Sequence, residues 1–100
     1  MNLYVANKMF LRLYGRIYGL KDIQSMDLSL GSPKADVYFI VKREKDKEKF
    51  LIAAFQKCSD KYLKYMKRIP EFNEWNFNFF VLSREDVKKN YSGNYYYAMH

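Results

Sequence analysis

Apolar residues recur at three- and four-residue steps through the N-terminal part of the chain. This spacing predicts a helix over residues 2–20. Its expected inner face consists of Leu3, Ala6, Phe10, Leu13, Ile17 and Leu20. Gly15 and Gly19 weaken this interpretation, because glycine lowers helix stability. The segment FLRLYGRIYG also alternates between apolar and polar residues, so a strand is the alternative for this region.

Two apolar runs flank a charged segment in the middle of the chain. MDLSL, residues 26–30, is predicted as a short strand that ends at Gly31-Ser32-Pro33. Residues 36–43 and 49–56 carry apolar side chains at both alternating positions, which is typical of strands covered on both faces. The charged REKDKEK between them is predicted as an exposed turn. We therefore expect an antiparallel hairpin, 36–43 with 49–56, at the centre of the sheet.

The last third of the chain predicts a helix, a strand and a second helix. Ser59 can cap a helix over residues 60–69, which Pro70 ends. The inner face of this helix is expected to carry Tyr62, Leu63, Met66 and Ile69. In WNFNFFVL, the residues Trp75, Phe77, Phe79 and Val81 are predicted to face inward, with Asn76 and Asn78 outward. Ser83-Arg84-Glu85-Asp86 resembles a capping box and predicts a short helix that ends near Gly93. Residues 94–100 are expected either to form a loose tail or to add an edge strand to the sheet.

These elements give the order α-β-β-β-α-β-α. The expected fold is a small single α+β domain over residues 1–100, with an antiparallel sheet, a central hairpin and helices packed on it. One hundred residues suit one domain. Hydrophobic residues make up 49% and aromatic residues 19%, which is enough for a core and excludes a disordered chain.

The element order and the segment Ser32-Pro33-Lys34-Ala35-Asp36 resemble the PD-(D/E)xK nucleases, the restriction-endonuclease-like family, over residues 2–82. The resemblance implies that Asp36 is a metal ligand and that the next strand carries an acid, a spacer and a lysine. Here Ala54-Phe55-Gln56 fills that slot, with alanine for the acid and glutamine for the lysine. The resemblance therefore implies a degenerate nuclease without its chemistry. From the residues alone, Asp36 is a turn residue that satisfies local backbone donors.

Other catalytic patterns are missing from the sequence. The single histidine is His100, the glycines form no phosphate-binding loop, and Cys58 has no second cysteine with which to hold zinc. We therefore expect no catalytic residue, no metal site, no cofactor and no enzymatic activity. The lone cysteine also favours a reducing, cytoplasmic location. No segment reaches the roughly 18 apolar residues of a membrane span, so no membrane partner is expected.

The formal charge of +7 favours acidic partners. Lys57, Lys61, Lys64 and Arg68 follow at spacings of four, three and four, so they share one helix face, and Tyr65 and Lys67 flank them. This pattern predicts binding of nucleic acid or of an acidic nucleoprotein. Tyr65, Asn76 and Asn78 could add stacking or hydrogen bonds. The alternative interpretation is an ordinary solvent-exposed helix face.

A second functional hypothesis is protein binding without catalysis. Small chains rich in Lys, Asn and Tyr are typical of low-GC phage and mobile elements, whose proteins often inhibit a host nucleoprotein, as the anti-CRISPR class does. Tyrosine is frequent at interface hot spots. The candidate contact residues are Tyr4, Tyr14, Tyr18, Tyr91, Tyr95, Tyr96 and Tyr97. The choice between DNA and RNA, and the oligomeric state, stay open.

Overall fold

A computed structural model describes residues 1–91, in which four α-helices pack on a three-stranded sheet. The elements are α1 (Leu3–Tyr18), β1 (Leu20–Asp27), β2 (Lys34–Val41), α2 (Asp46–Ala53), α3 (Phe55–Lys67), β3 (Asn76–Ser83) and α4 (Arg84–Tyr91), with a 3₁₀ turn at Pro70–Phe72. The α+β class is confirmed. The observed order is α-β-β-α-α-β-α, which differs from the expected order at the fourth element.

The central strand of the sheet is β2. It pairs antiparallel with β1, where Ile23 opposes Phe39, and parallel with β3, where Val81 opposes Phe39. Phe39 and its face of the sheet pack against α1, α2 and α3, whereas Tyr38 and Ile40 on the other face pack with Val87 of α4. The two apolar faces of β2 thus correctly indicated a central strand. The expected antiparallel sheet is wrong, because the β2–β3 pair is parallel.

The predicted return strand over residues 49–56 is also wrong: this segment is helical, so the hairpin expected between 36–43 and 49–56 does not form. Phe50 and Phe55 pack on Phe39, with ring centroids 6.0 and 6.3 Å away, while Leu51 and Ile52 are exposed. A parallel strand pair needs a crossover connection, and α2 and α3 supply it. Of the charged segment predicted as an exposed turn, residues 43–45 precede the helix and residues 46–49 are instead the start of α2. Its acids lie in the first helical turn, where they stabilise the helix dipole.

The N-terminal segment is a helix and not a strand, but its inner face differs from the prediction. Phe10 and Tyr14 pack toward the core with ring centroids 5.0 Å apart, and Tyr18 continues this column. Leu13 and Ile17, which were expected inside, are exposed. The helix ends at Gly19 in the left-handed conformation, and β1 begins directly after it, so the strand predicted at 26–30 ends at Asp27.

The elements after α2 match the sequence interpretation more closely. Ser59 lies inside α3 and not at its start, and its Oγ donates to the carbonyl oxygen of Phe55 over 2.8 Å. The alternation of β3 is confirmed, since Phe77 and its inward neighbours pack on the core. The capping box is confirmed: Ser83 Oγ accepts from the Asp86 N–H at 3.1 Å, and Asp86 Oδ2 accepts from the Ser83 N–H at 2.8 Å. The predicted helix end near Gly93 and the edge strand at 94–100 lie outside the described residues.

A buried hydrogen-bond chain connects α3, α1 and β1. The Tyr62 hydroxyl donates to Asn7 Oδ1 over 2.6 Å, and Asn7 Nδ2 donates to Ser25 Oγ over 3.0 Å. Around the fully buried Tyr62, the rings of Phe10, Phe39, Phe77 and Phe79 make edge-to-face contacts with centroids 5.2 to 6.1 Å away. This hydrogen-bond chain and the rings around Tyr62 fix the rotation of α3 about its own axis. They therefore decide which residues of α3 face solvent.

Candidate nucleic-acid interface

The outer side of α3 carries the basic residues that the sequence singled out. Its inner side is held by Cys58, Tyr62 and Met66, all of which are buried. Because those residues lock the helix against the sheet, the opposite side faces solvent. Lys57, Lys64, Lys67 and Arg68 are exposed, and Lys61 is half-buried. The structure therefore brings these five cations together on one face, which we call the α3 basic face.

Lys61 and Tyr65 lie where this face meets α1. Lys61 Nζ lies 5.5 Å from the ring centroid of Tyr14, within the range of a cation–π contact. The ring of Tyr65 lies 5.7 Å from that of Phe10 and belongs in part to the core. Partial burial raises the pKa of the Tyr65 hydroxyl, and the nearby Tyr14 adds to this effect. Tyr65 thus borders the basic face, but its ring is partly packed on the core and does not offer a fully exposed surface on which a base could stack.

The cations of the α3 basic face take no part in the salt bridges formed within residues 1–91. Those salt bridges use the N-terminal amine, Lys8, Arg43 and Lys47. The one acid within α3 is Asp60, and its carboxylate accepts a hydrogen bond from Gln56 Nε2 at 3.0 Å. Five cations against one carboxylate leave this face with a strong positive charge.

Two carboxylates elsewhere, Glu44 just before α2 and Asp86 in α4, share one cation. Lys47 Nζ lies 2.8 Å from both Glu44 Oε2 and Asp86 Oδ2, and these hydrogen bonds raise the pKa of Lys47. Burial acts to raise the pKa of Asp86, but the hydrogen bonds from Lys47 and the Ser83 N–H lower it overall. The hydrogen bonds from Lys47 and Ser83 likewise lower the pKa of Glu44. Glu44 and Asp86 are therefore paired with Lys47, whereas the five cations of the α3 basic face form no salt bridge within residues 1–91.

Two polar residues expected to help with nucleic acid do not join the α3 basic face. The inward residues of β3 point toward α3, so Asn76 and Asn78 lie on the opposite face of the sheet. Asn78 Nδ2 donates to Asp36 Oδ1 over 3.1 Å, across the β2–β3 pair. Asn76 and Asn78 therefore cannot contact a ligand that lies on α3.

The nuclease motif is not assembled. Ala54, Phe55 and Gln56 lie at the junction of α2 and α3 and not on a strand beside Asp36, which overturns the placement implied by the family resemblance. Across residues 1–91, no three His, Cys, Asp or Glu side chains group closely enough to hold a metal ion. Cys58 is a free thiol, and burial raises its pKa to about 12. A thiol with that pKa is protonated at neutral pH and is a poor nucleophile.

The tyrosines proposed for protein binding occupy different environments. Tyr4 is 66% exposed, with Lys8 Nζ 5.4 Å from its ring centroid. Tyr14 and Tyr18 are half-buried and pack against the core, and partial burial raises the pKa of Tyr18. The side chain of Tyr91 and residues Tyr95, Tyr96 and Tyr97 lie outside the described part of the chain. The structure thus leaves Tyr4 as the exposed tyrosine of the α1 group.

A cleft of about 660 Å³ opens between the start of α1 and β1, and Tyr4 and Trp75 contribute to its lining. Two pairs of its polar groups bond to each other: Lys8 Nζ donates to Asp22 Oδ1 over 3.0 Å, and Asn7 Nδ2 donates to Ser25 Oγ over 3.0 Å. The cations of α3 do not line this cleft. It is therefore separate from the α3 basic face.

Sequence reasoning missed an exposed apolar row on α1, formed by Val5, Met9, Leu13 and Ile17. The signal was present, because these residues repeat at every fourth position. The column Ala6, Phe10, Tyr14 and Tyr18 repeats in the same way one position later, and the sequence did not show which of the two would be buried.

No protein-family model matches the chain, and no curated protein or solved structure is significantly similar to it. Among the described helices, none is both long and apolar enough to cross a membrane. The function must therefore be argued from the charge and geometry of the surfaces above.

Proposed function

We propose that this protein is a non-enzymatic nucleic-acid-binding domain that contacts phosphates through the α3 basic face. The observation that carries the proposal is the set of five cations on one anchored helix, none of which forms a salt bridge within residues 1–91. Cations without acidic partners are available to replace the counterions of a phosphate backbone.

The helix can present these charges at little cost to folding. Its inner side supplies the core contacts, and exposed charges contribute little to the stability of a folded domain. Phosphate contacts of this kind position a ligand without reading its sequence. We therefore expect affinity that depends steeply on salt and weakly on base sequence.

The salt dependence gives a quantitative expectation. Four phosphate contacts on duplex DNA give a slope of about −3.6 in log K against log salt concentration. Between about 50 and 200 mM salt, the affinity should then fall about 150-fold for a duplex and about 50-fold for a single strand. The slope gives the number of contacts once the form is known, and the direct comparison of affinities for a duplex and a single strand shows which form is preferred.

The test is fluorescence anisotropy with labelled random duplex and single-stranded oligonucleotides across that salt range. The variant is Lys61→Glu/Lys64→Glu, and the matched control is Lys45→Glu/Lys49→Glu, which makes the same charge change on exposed positions at α2. Loss of two contacts should bring the duplex slope to about −1.8 and weaken binding at least about tenfold. The control should retain most of the parent affinity.

Equal weakening by both pairs would show that net charge, and not the α3 basic face, attracts the ligand. Retention of neither oligonucleotide by the parent protein at low salt would refute the proposal. Thermal unfolding of each variant provides the check that the fold is kept. Inhibition of a host nucleoprotein, a phage or mobile-element source and a reducing intracellular location stay predictions from composition.

A further inference from the structure

The outer surface of α1 carries a continuous apolar row, and nothing in residues 1–91 covers it. Val5, Met9, Leu13 and Ile17 are 40, 42, 57 and 72% exposed. Residues four apart on a helix are neighbours, so these side chains form one ridge along most of α1. Single exposed apolar residues are ordinary, but a contiguous apolar strip on one helix is typical of an interaction surface.

The fold does not require this ridge. The core contacts of α1 come from the adjacent column that includes Ala6, Phe10 and Tyr14. Polar residues at the four ridge positions would leave that column intact. The ridge therefore has no evident role inside the domain.

A row of cations borders the ridge on one side, and a further cation lies beyond the inner column on the other. Lys8, Arg12 and Arg16 each follow a ridge residue by three positions and so form the neighbouring ridge on one side. On the other side, the inner column leads to α3, where Lys61 lies over Tyr14. No acid occurs in α1, and because Lys8 is bonded to Asp22 of β1, Arg12 and Arg16 are the bordering cations that form no salt bridge within residues 1–91.

This combination selects one kind of partner. A ridge of side chains at four-residue spacing fits between the corresponding ridges of a second helix. A second copy of this surface would bring cations against cations, and a phosphate backbone offers nothing to an aliphatic row. We infer that the α1 ridge docks an amphipathic helix of a partner protein, with an apolar stripe flanked by Asp and Glu. This inference is independent of the proposed nucleic-acid binding.

The probe is a synthetic 18-residue helical peptide with a leucine stripe flanked by glutamates, and its matched control carries lysines in place of the glutamates. Binding is measured by isothermal titration calorimetry at moderate salt. The glutamate peptide should bind, and the lysine peptide should not. Leu13→Ser/Ile17→Ser should weaken binding of the glutamate peptide at least about tenfold. Leu51→Ser/Ile52→Ser, which alters two exposed apolar residues on α2, should leave it unchanged.

Anisotropy with the labelled oligonucleotides separates this inference from the proposed function. Leu13→Ser/Ile17→Ser should not change nucleic-acid binding, whereas it should abolish most peptide binding. Equal binding of both peptides, or equal weakening by both serine pairs, would overturn the inference. A concentration-dependent dimer that Leu13→Ser/Ile17→Ser dissociates would assign the ridge to a second copy instead. Binding to phosphatidylglycerol vesicles without binding to the glutamate peptide would assign it to a lipid surface.

Discussion

The hydroxyl of Tyr62 is the most informative single group to remove. Tyr62→Phe keeps the ring and its four edge-to-face contacts but deprives Asn7 Oδ1 of its donor. Asn7 is buried, so water cannot readily replace the lost bond. A buried acceptor left without a partner costs about 1–3 kcal/mol. We therefore expect Tyr62→Phe to lower the free energy of unfolding by that amount, although it removes one oxygen atom only.

The assay is urea denaturation, with thermal unfolding as a second readout. The midpoint should fall at unchanged m-value, and each 1 kcal/mol should lower Tm by about 4–8 °C in a domain of this size. Tyr4→Phe is the control, because Tyr4 is exposed and should tolerate the change. The double variant Asn7→Leu/Tyr62→Phe should lose less than the sum of the two single variants, since both partners become apolar together.

Two results would refute this reasoning. If Tyr62→Phe were as stable as the parent, the hydrogen bond to Asn7 would make no net contribution. If the double variant lowered the free energy of unfolding by the full sum of the two single effects, the two residues would act independently. The hydrogen-bond chain from Tyr62 through Asn7 to Ser25 would then make no cooperative contribution to stability.

Two further predictions concern pH and a helix end. The lowered pKa values of Asp86 and Glu44 mean that the folded protein binds fewer protons than the unfolded chain, so this stabilisation is present above about pH 4 and is lost as the pH falls through the folded pKa values. Urea midpoints measured across acidic pH should show this fall, and Asp86→Asn should flatten it; an unchanged profile would contradict the assignment to Asp86. Gly19→Ala should cost about 1 kcal/mol, because the φ of 71° is strained for a residue with a Cβ. Gly19→Asn should cost less in the same urea assay, and a neutral Gly19→Ala would show that the helix end can rearrange.

The sequence correctly predicted those elements whose apolar residues recur with the spacing of a helix or with that of a strand, but not with both. The two apolar faces of β2 indicated its central place, and the alternation of β3 indicated its inward side. The pair Ser83 and Asp86 predicted both the start of α4 and its reciprocal hydrogen bonds. In each case the deciding interactions are local or follow directly from burial.

The strand predicted over residues 49–56 was wrong because a continuous apolar run fits a buried strand and a buried helix equally well. The deciding factor is not local: β3 pairs parallel to β2, and the connection must therefore cross over the sheet. The acids in the first turn of α2 were a signal that the sequence did contain. The rotation of α1 could not be predicted, because two apolar rows lie side by side and contacts with the distant elements α3 and β1 decide between them.

The basic face of α3 was predicted residue by residue, since a helix with one apolar side must expose the other. The sequence could not show how the surfaces of different helices and strands lie relative to one another. The structure separates Asn76 and Asn78 from the cations by the thickness of the sheet, and it brings Lys61 onto Tyr14. Both facts depend on contacts between residues that are distant along the chain.

The parallel pairing of β2 with β3 has a consequence for biosynthesis. β1 and β2 are close in sequence, so one edge of β2 can pair early. The other edge pairs with β3, where Phe39 lies opposite Val81, and β3 is synthesised much later. During translation, the most apolar strand of the protein therefore leaves the ribosome well before its second neighbour and before the helix that covers its far face. An unpaired apolar strand edge invites aggregation. A chain truncated before Asn76 is thus expected to aggregate, because the second edge and the far face of β2 are covered by residues from the last quarter of the sequence.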